Sequence, residues 1–439
     1  MAESREAVRA VGRRLLQRGS RRVRRTVARR KRLLAYLAIL GPGMITANAG
    51  NDAGGIATYA SVGAKHGYRL LWVLIPITIS LGIVQEMCAR MGAVTGKGLA
   101  DLIRERFGVR WTALVMLALL IANAGVTVSE FVGIAAATEL FGVHRLISVP
   151  IVAISIWWLV VKGSYKRVER VFLLMSLVFL GYIVSAFLAK PDWLTVGVSL
   201  FRPSFSLQPS FLFTFIAVVG TTISPYMQVF VQSSVVEKGV TVENYSETKL
   251  DVWAGTIFAL SIALFIIVST AATLHKHGLQ VDSAATAARA LEPLAGKYAE
   301  KLFAIGLFGA SMLAAGVLPL ATAYSISEAL GFEKGVSRTF REAPTFIGVF
   351  TFLIAIGAAI AMIPDLPLFQ VLLVTQVING LLLPVVLIAV LRLVNNRELM
   401  GAYVNGPLYN IAAWVTTILV TGLSLLFILV TIFPRLFGA

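Results

Sequence analysis

The chain has 439 residues, of which 57% are apolar and only 14% charged, and its mean hydropathy is +0.82. That composition excludes a soluble domain and leaves room for roughly ten or more spans of ~20 residues, so the chain reads as an all-α polytopic membrane protein. The formal charge of +17 would suit a nucleic-acid binder, but 13 of the 39 Lys and Arg residues lie between Arg5 and Arg32, ahead of any span. There Val8, Val11, Leu15, Leu16, Val23 and Val27 recur at roughly helical spacing. Residues 1–33 are therefore expected to form a basic amphipathic segment on anionic lipids of the cytoplasmic leaflet, with no nucleic-acid partner. A transit peptide is the rival reading, against which Glu3 and Glu6 weigh.

Apolar runs between charged or Pro/Gly-rich punctuation predict eleven spans. The first, 34–62, is interrupted by Gly50-Asn51-Asp52-Ala53-Gly54-Gly55. A carboxylate at membrane depth costs at least ~2.5–3.5 kcal/mol, and the glycines around it hold a helix poorly. Such a break frees carbonyls to coordinate a cation. Capping of the second half-helix by Asp52 is the plainer alternative. Spans 68–94, 111–139, 147–162 and 169–188 complete a first set of five. In the sixth, 210–237, Pro225 lacks a backbone donor, so the helix should open just ahead of it, within Gly220-Thr221-Thr222-Ile223-Ser224-Pro225-Tyr226. Thr221 and Ser224 then offer oxygen ligands, unless the break is an ordinary proline kink. Spans 251–274, 300–330, 344–363 and 367–394 complete the second set, and 409–434 follows as an eleventh.

Breaks at corresponding places in two sets of five point to an inverted-repeat transporter with its site between them. The expected division is 1–33, the repeats 34–188 and 189–395, and 396–439 for the last helix and C-terminus. With the N-terminus cytoplasmic, 29 of the 39 Lys and Arg residues fall inside and 10 outside, which puts the C-terminus outside, at the cell membrane. No Ser/His/Asp set, phosphate loop or zinc spacing appears, so neither an enzyme nor a cofactor is expected. No obligate protein partner is inferred.

Further motifs, in order along the chain, resemble the NRAMP divalent-metal transporters. They are Gly41-Pro42-Gly43, Gly67-Tyr68-Arg69-Leu70-Leu71-Trp72-Val73-Leu74, Thr95-Gly96-Lys97-Gly98-Leu99-Ala100, Leu373-Val374-Thr375-Gln376-Val377, and Leu399-Met400-Gly401 with Asn405. The resemblance implies a LeuT-like fold, with the metal held between spans one and six and Gln376 approaching it. For Gln376, contact with the ion or its water and a plain packing bond both stay open. The family's Asp-Pro-Gly-Asn reads Asp52-Ala53-Gly54-Gly55 here, and its Ala-Thr-Val-Met-Pro-His reads Thr221-Thr222-Ile223-Ser224-Pro225-Tyr226. A soft thioether becomes a hydroxyl, and two bulky ligands are lost. Both changes favour a hard, partly hydrated ion in a widened cavity. The pattern resembles the NRAMP-related magnesium transporters.

The expected cargo is Mg2+, with Mn2+ also carried. The expected metal set is Asp52, Gly55, Thr221, Ser224 and Gln376, with Asp52 as the sole charged group at the ion. Asn51, Tyr226, Gln228 and Glu130 are expected to line the cavity. The resemblance places proton-relay acids at three positions of span three, where this chain has Leu120, Thr127 and Glu130, and histidines where it has Tyr226 and Val231. Uptake uncoupled from protons is therefore expected. The alternatives are a proton-coupled Mn2+/Fe2+ transporter, a sodium-coupled amino-acid transporter, and a receptor that transports nothing. Glu86 and the run Tyr324-Ser325-Ile326-Ser327-Glu328 have no functional assignment.

Overall fold

A computed structural model describes residues 41–163, 165–175, 180–279, 281, 283–288, 299–336, 338–364 and 366–433, and the basic segment 1–33 lies outside them. All regular structure among the described residues is helical. The first span is two helices, α1 (Pro42–Ala49) and α2 (Ala53–His66). Its start has a clear physical cause. Asp251, from a later helix, accepts the backbone N–H of Gly43 at 2.7 Å and of Met44 at 3.2 Å, satisfying amides that a helix start leaves bare.

The helices α3 (Leu74–Thr95), α4 (Leu99–Glu139) and α5 (Arg145–Lys162) follow. The α4 range holds two helices joined at Gly108, whose φ of 75° and ψ of 174° are not helical; the part after the break covers the expected span 111–139, and a shorter helix with Leu99, Ala100, Leu102 and Ile103 buried precedes it. The fifth span appears as α6 (Tyr165–Met175) and α7 (Leu180–Leu188), with 176–179 outside the described residues. An unforeseen helix, α8 (Trp193–Phe201), follows it, begun by Asp192, which accepts from Leu194 N at 3.0 Å. The sixth span opens as expected into α9 (Pro209–Thr222) and α10 (Pro225–Glu237), with Ile223 and Ser224 between them.

The remaining helices are α11 (Tyr245–Thr273), α12 (Ala284–Ala288), α13 (Ala299–Leu330), α14 (Pro344–Ala361), α15 (Leu368–Val394), α16 (Arg397–Met400) and α17 (Pro407–Ile432). Among the described residues nine helical stretches are long and apolar enough to cross a membrane, or ten if α7 and α8, bent by 119°, form one. The difference between nine and eleven lies in the first span, which is split at its break and begins outside the described residues, and in the fifth, of which 176–179 lie outside them.

Glycines set the closest contacts. A Cβ on Gly255 of α11 would lie 2.7 Å from Met44 Cα, and one on Gly220 of α9 would lie 2.0 Å from the Gln376 carbonyl oxygen of α15. Backbone therefore touches backbone where α1 meets α11 and where α9 meets α15, a membrane packing mode that only small residues permit. On α5, Ile147, Ile151, Ile154 and Trp158 form one face, each at least 58% exposed, as a lipid-facing surface requires.

Glu328, unassigned from sequence, ends α13 as a buried anchor. Its Oε1 accepts from Ser233 Oγ at 2.6 Å and lies 3.2 Å from Lys334 Nζ, while Oε2 accepts from Ala100 N at 3.1 Å. It thereby ties α13 to α10 and to the start of α4. Glu86 is likewise structural: it meets Arg90 Nε at 3.4 Å and accepts from the Tyr245 hydroxyl. Glu328→Ala should leave these donors unmatched at about 1–3 kcal/mol. Its unfolding midpoint in detergent should fall by several degrees, and that of Glu328→Gln, which keeps an acceptor, by clearly less.

Candidate cation site at the helix breaks

The two breaks meet. A Cβ on Gly55 would lie 2.6 Å from the Gly50 carbonyl oxygen, 3.0 Å from Thr221 Oγ1 and 3.2 Å from Asp52 Oδ1. Three oxygens thus converge on the space that a side chain at position 55 would take. A Cβ on Gly50 would lie 2.2 Å from Met227 Cε and 3.3 Å from the Thr221 carbonyl oxygen. Tyr59 of α2 and Thr222 of α9 share a hydroxyl hydrogen bond of 2.8 Å beside them.

Asp52 is extended, at φ −68° and ψ −178°, and caps α2 by accepting from Gly55 N at 2.5 Å. The same Oδ1 accepts from Gln376 Nε2 of α15 at 3.4 Å, and Oδ2 has no protein partner. The capping role and the cation role are therefore compatible, since each uses a different oxygen. Asp52 has a second acid beside it, the Glu130 expected to line the cavity. Glu130 of α4 accepts from Ala53 N at 3.1 Å and from Ser129 Oγ at 3.2 Å. Two fully buried carboxylates thus share the start of α2, where unpaired N–H groups and the positive end of the helix dipole favour anions.

The structure brings Asp52, Gly55, Thr221, Gln376 and Glu130 together. Thr221 Oγ1, Tyr226 Oη and both amide atoms of Gln228 are buried without partners. Two expected members turn away. Asn51 donates to Ala259 O of α11 at 3.1 Å. Ser224 donates to Gly220 O at 2.6 Å, with Thr221 O at 3.2 Å, which closes the frayed end of α9.

Asp52, Glu130, Thr221, Ser224, Tyr226, Gln228 and Gln376 are each 0% exposed, so the site is closed to bulk solvent in this conformation. The space beside Gly55 is bordered by the Gly50 carbonyl oxygen and Thr221 Oγ1.

Two residues escaped sequence reasoning. Asn379 Nδ2 donates to Gln376 Oε1 at 3.3 Å and so aims the glutamine amide at Asp52; its spacing of three from Gln376 on one helix face was the available signal. Met227 places a thioether beside Gly50, its sulfur accepting from Gln85 Nε2 at 3.7 Å. Position 227 is not a ligand position in the motif, so nothing in the sequence drew attention to it.

Paired breaks in spans one and six define a membrane transporter of LeuT-like architecture. The profile of the natural resistance-associated macrophage protein-like family matches residues 43–430. The chain belongs to this Nramp family and is a transporter rather than an enzyme. The divalent metal cation transporter MntH of Ralstonia nicotianae is 30% identical over 411 residues, 88% of each chain. Its namesake from Deinococcus radiodurans is 27% identical over 406 residues, again 88% of each. A crystal structure of the Eremococcus coleocola manganese transporter shares the fold at a TM-score of 0.71 and 19% identity, covering 89% of this chain and 86% of that one. Mhp1, a nucleobase-cation-symport-1 family transporter, shares it more distantly, at 0.53 and 13%.

Gly55→Ala tests the meeting of the breaks. Its methyl would press on the Gly50 carbonyl at 2.6 Å and on Thr221 Oγ1 of the sixth span at 3.0 Å, so the packing within and between the breaks must shift. Cation uptake into liposomes should fall at least ten-fold, while Gly181→Ala, whose Cβ meets nothing within 4 Å, leaves it unchanged.

Proposed function

We propose that this transporter imports a divalent cation between its two breaks, with Mg2+ the cargo that fits best and Mn2+ also carried. The observation that supports this is the donor set. Asp52 Oδ2, Thr221 Oγ1, Tyr226 Oη and Gln228 Oε1 are buried oxygens without a protein partner. Leaving such an atom unmatched costs about 1–3 kcal/mol, which a cation with its retained water offsets. Mg2+ suits one or two carboxylates with neutral oxygens and waters around them, and Asp52 with Glu130 behind it supplies that charge. In the proposed orientation the N-terminus is cytoplasmic and the C-terminus outside.

A specific observation favours Mn2+ as well. Met227, whose Cε lies beside Gly50, carries in its thioether sulfur a soft donor of the kind transition metals accept and Mg2+ does not. Purified protein in liposomes separates the readings. Asp52→Ala should abolish uptake of both ions while the protein stays folded; uptake near the parent rate would sink the site. Met227→Leu should lower Mn2+ uptake relative to Mg2+ several-fold, and an unchanged ratio removes the sulfur from the account.

We also infer that uptake runs without protons. Both Glu130 oxygens are engaged by Ala53 and Ser129, Thr127 Oγ1 donates to its own helix at Asn123 O, 2.7 Å away, and Leu120 carries no proton. A relay needs groups within hydrogen-bond reach of one another. Driving force is available without coupling, since two charges moving down 100 mV gain ~4.6 kcal/mol. A pH dye trapped in the vesicles should stay constant as Mg2+ enters. Acidification that scales with Mg2+ and vanishes in Glu130→Gln would favour the proton-coupled alternative.

A further inference from the structure

The proposed orientation leaves 10 of 39 basic residues on the outer side, and three of them line one cavity. This cavity, of about 620 Å³, is walled by Lys65 and His66 at the end of α2, Arg69, Ser199 and Arg202 around α8, and His275 after α11. No carboxylate lines it, and none of Lys65, Arg69 and Arg202 is in an ion pair among the described residues. The nearby Asp192 is occupied in capping α8, through Leu194 N and Thr195 Oγ1. His66 Nε2 is buried without a partner.

The walls are built rather than accidental. His275 Nδ1 bonds Ala64 O at 2.8 Å, Ser204 Oγ donates to Arg69 O at 2.7 Å, and Trp72 Nε1 donates to Ser204 O at 3.1 Å. Unpaired cations on the outer side run against the usual distribution of basic residues in membrane proteins, and an anion would balance them.

Beyond the wall formed by Trp72, Ser204 and Phe205 lies a second cavity of about 520 Å³, almost wholly apolar, between α3, α9 and α17. It runs from Trp72, Phe205 and Phe215 down to Ser80, Ile223 and Leu419. From Trp72 to Ser80 is about 12 Å at 1.5 Å per residue, close to the ~15 Å of hydrocarbon in one leaflet.

We propose that these adjoining cavities bind one anionic phospholipid, its phosphate among Lys65, Arg69 and Arg202 and one acyl chain in the groove. The chain would end against Ile223, inside the break of the sixth span. The aromatic mouth sits where Trp and Phe rings meet the interface, and the cations sit just beyond it, in the order a lipid presents its parts.

The delipidated full-length protein in detergent tests this by native mass spectrometry and by thermal unfolding with phosphatidylglycerol, diacylglycerol or inorganic phosphate added. Phosphatidylglycerol should bind and raise the midpoint. Arg69→Gln with Arg202→Gln should weaken its binding at least ten-fold. Gly422→Leu should weaken it comparably, because position 422 lines the groove and a Cβ there meets nothing within 4 Å, so the fold tolerates it. Equal stabilisation by inorganic phosphate overturns the lipid, and equal binding of diacylglycerol overturns the cationic half. Parent-like binding by either variant overturns the proposal. None of these residues touches the cation site, so failure here leaves the transport reading standing.

Discussion

Asp52 and Glu130 bury two carboxyl groups side by side, and the amides at the start of α2 partner both of them. The first amides of any helix lack partners within it. Asp52 takes that of Gly55, and Glu130 takes that of Ala53. The dipole adds the equivalent of roughly half a positive charge at the same end. The rest of the site depends on this arrangement. Gln376 leans on Asp52, Asn379 holds Gln376, and α4 is drawn across to α2 by its carboxylate.

Much of this was legible in the residues. Pro225 announced its break because a missing N–H cannot be hidden inside a helix. Asp52 among glycines announced the other. What stayed illegible was contact. That Gly55 lies in contact with Gly50 and Thr221 depends on the closeness of α2 and α9. Composition does not encode that closeness. Ser224 was read as a ligand, yet a hydroxyl one turn from a frayed carbonyl satisfies that carbonyl first. Met227 was invisible because its role comes from lying opposite Gly50. The short helix ahead of Gly108 was hidden by Arg104 and Arg106, which give 99–107 the look of a polar loop although its other face is buried.

Against the family motif, the exchange is one of geometry as well as of ligands. Glycine at 55 and serine at 224 stand where the motif has two larger side chains, and the Gly50 carbonyl and Thr221 lie against the glycine. On the proposed reading, selectivity rests on oxygens contributed by neighbouring turns, among them Thr221, Tyr226 and Gln228. A thioether from Met227 remains at the edge. The balance between hard and soft donors has shifted without being emptied at either end.

The two halves of the first span are begun by carboxylates from different helices, while both lie along α11. Asp251 of α11 holds the start of α1, and Glu130 of α4 holds the start of α2. A continuous helix would carry any displacement at one membrane face through to the other. Residues 50–52 act instead as a joint, so one half can shift without dragging the other, and each must slide along the wall of α11 that they share.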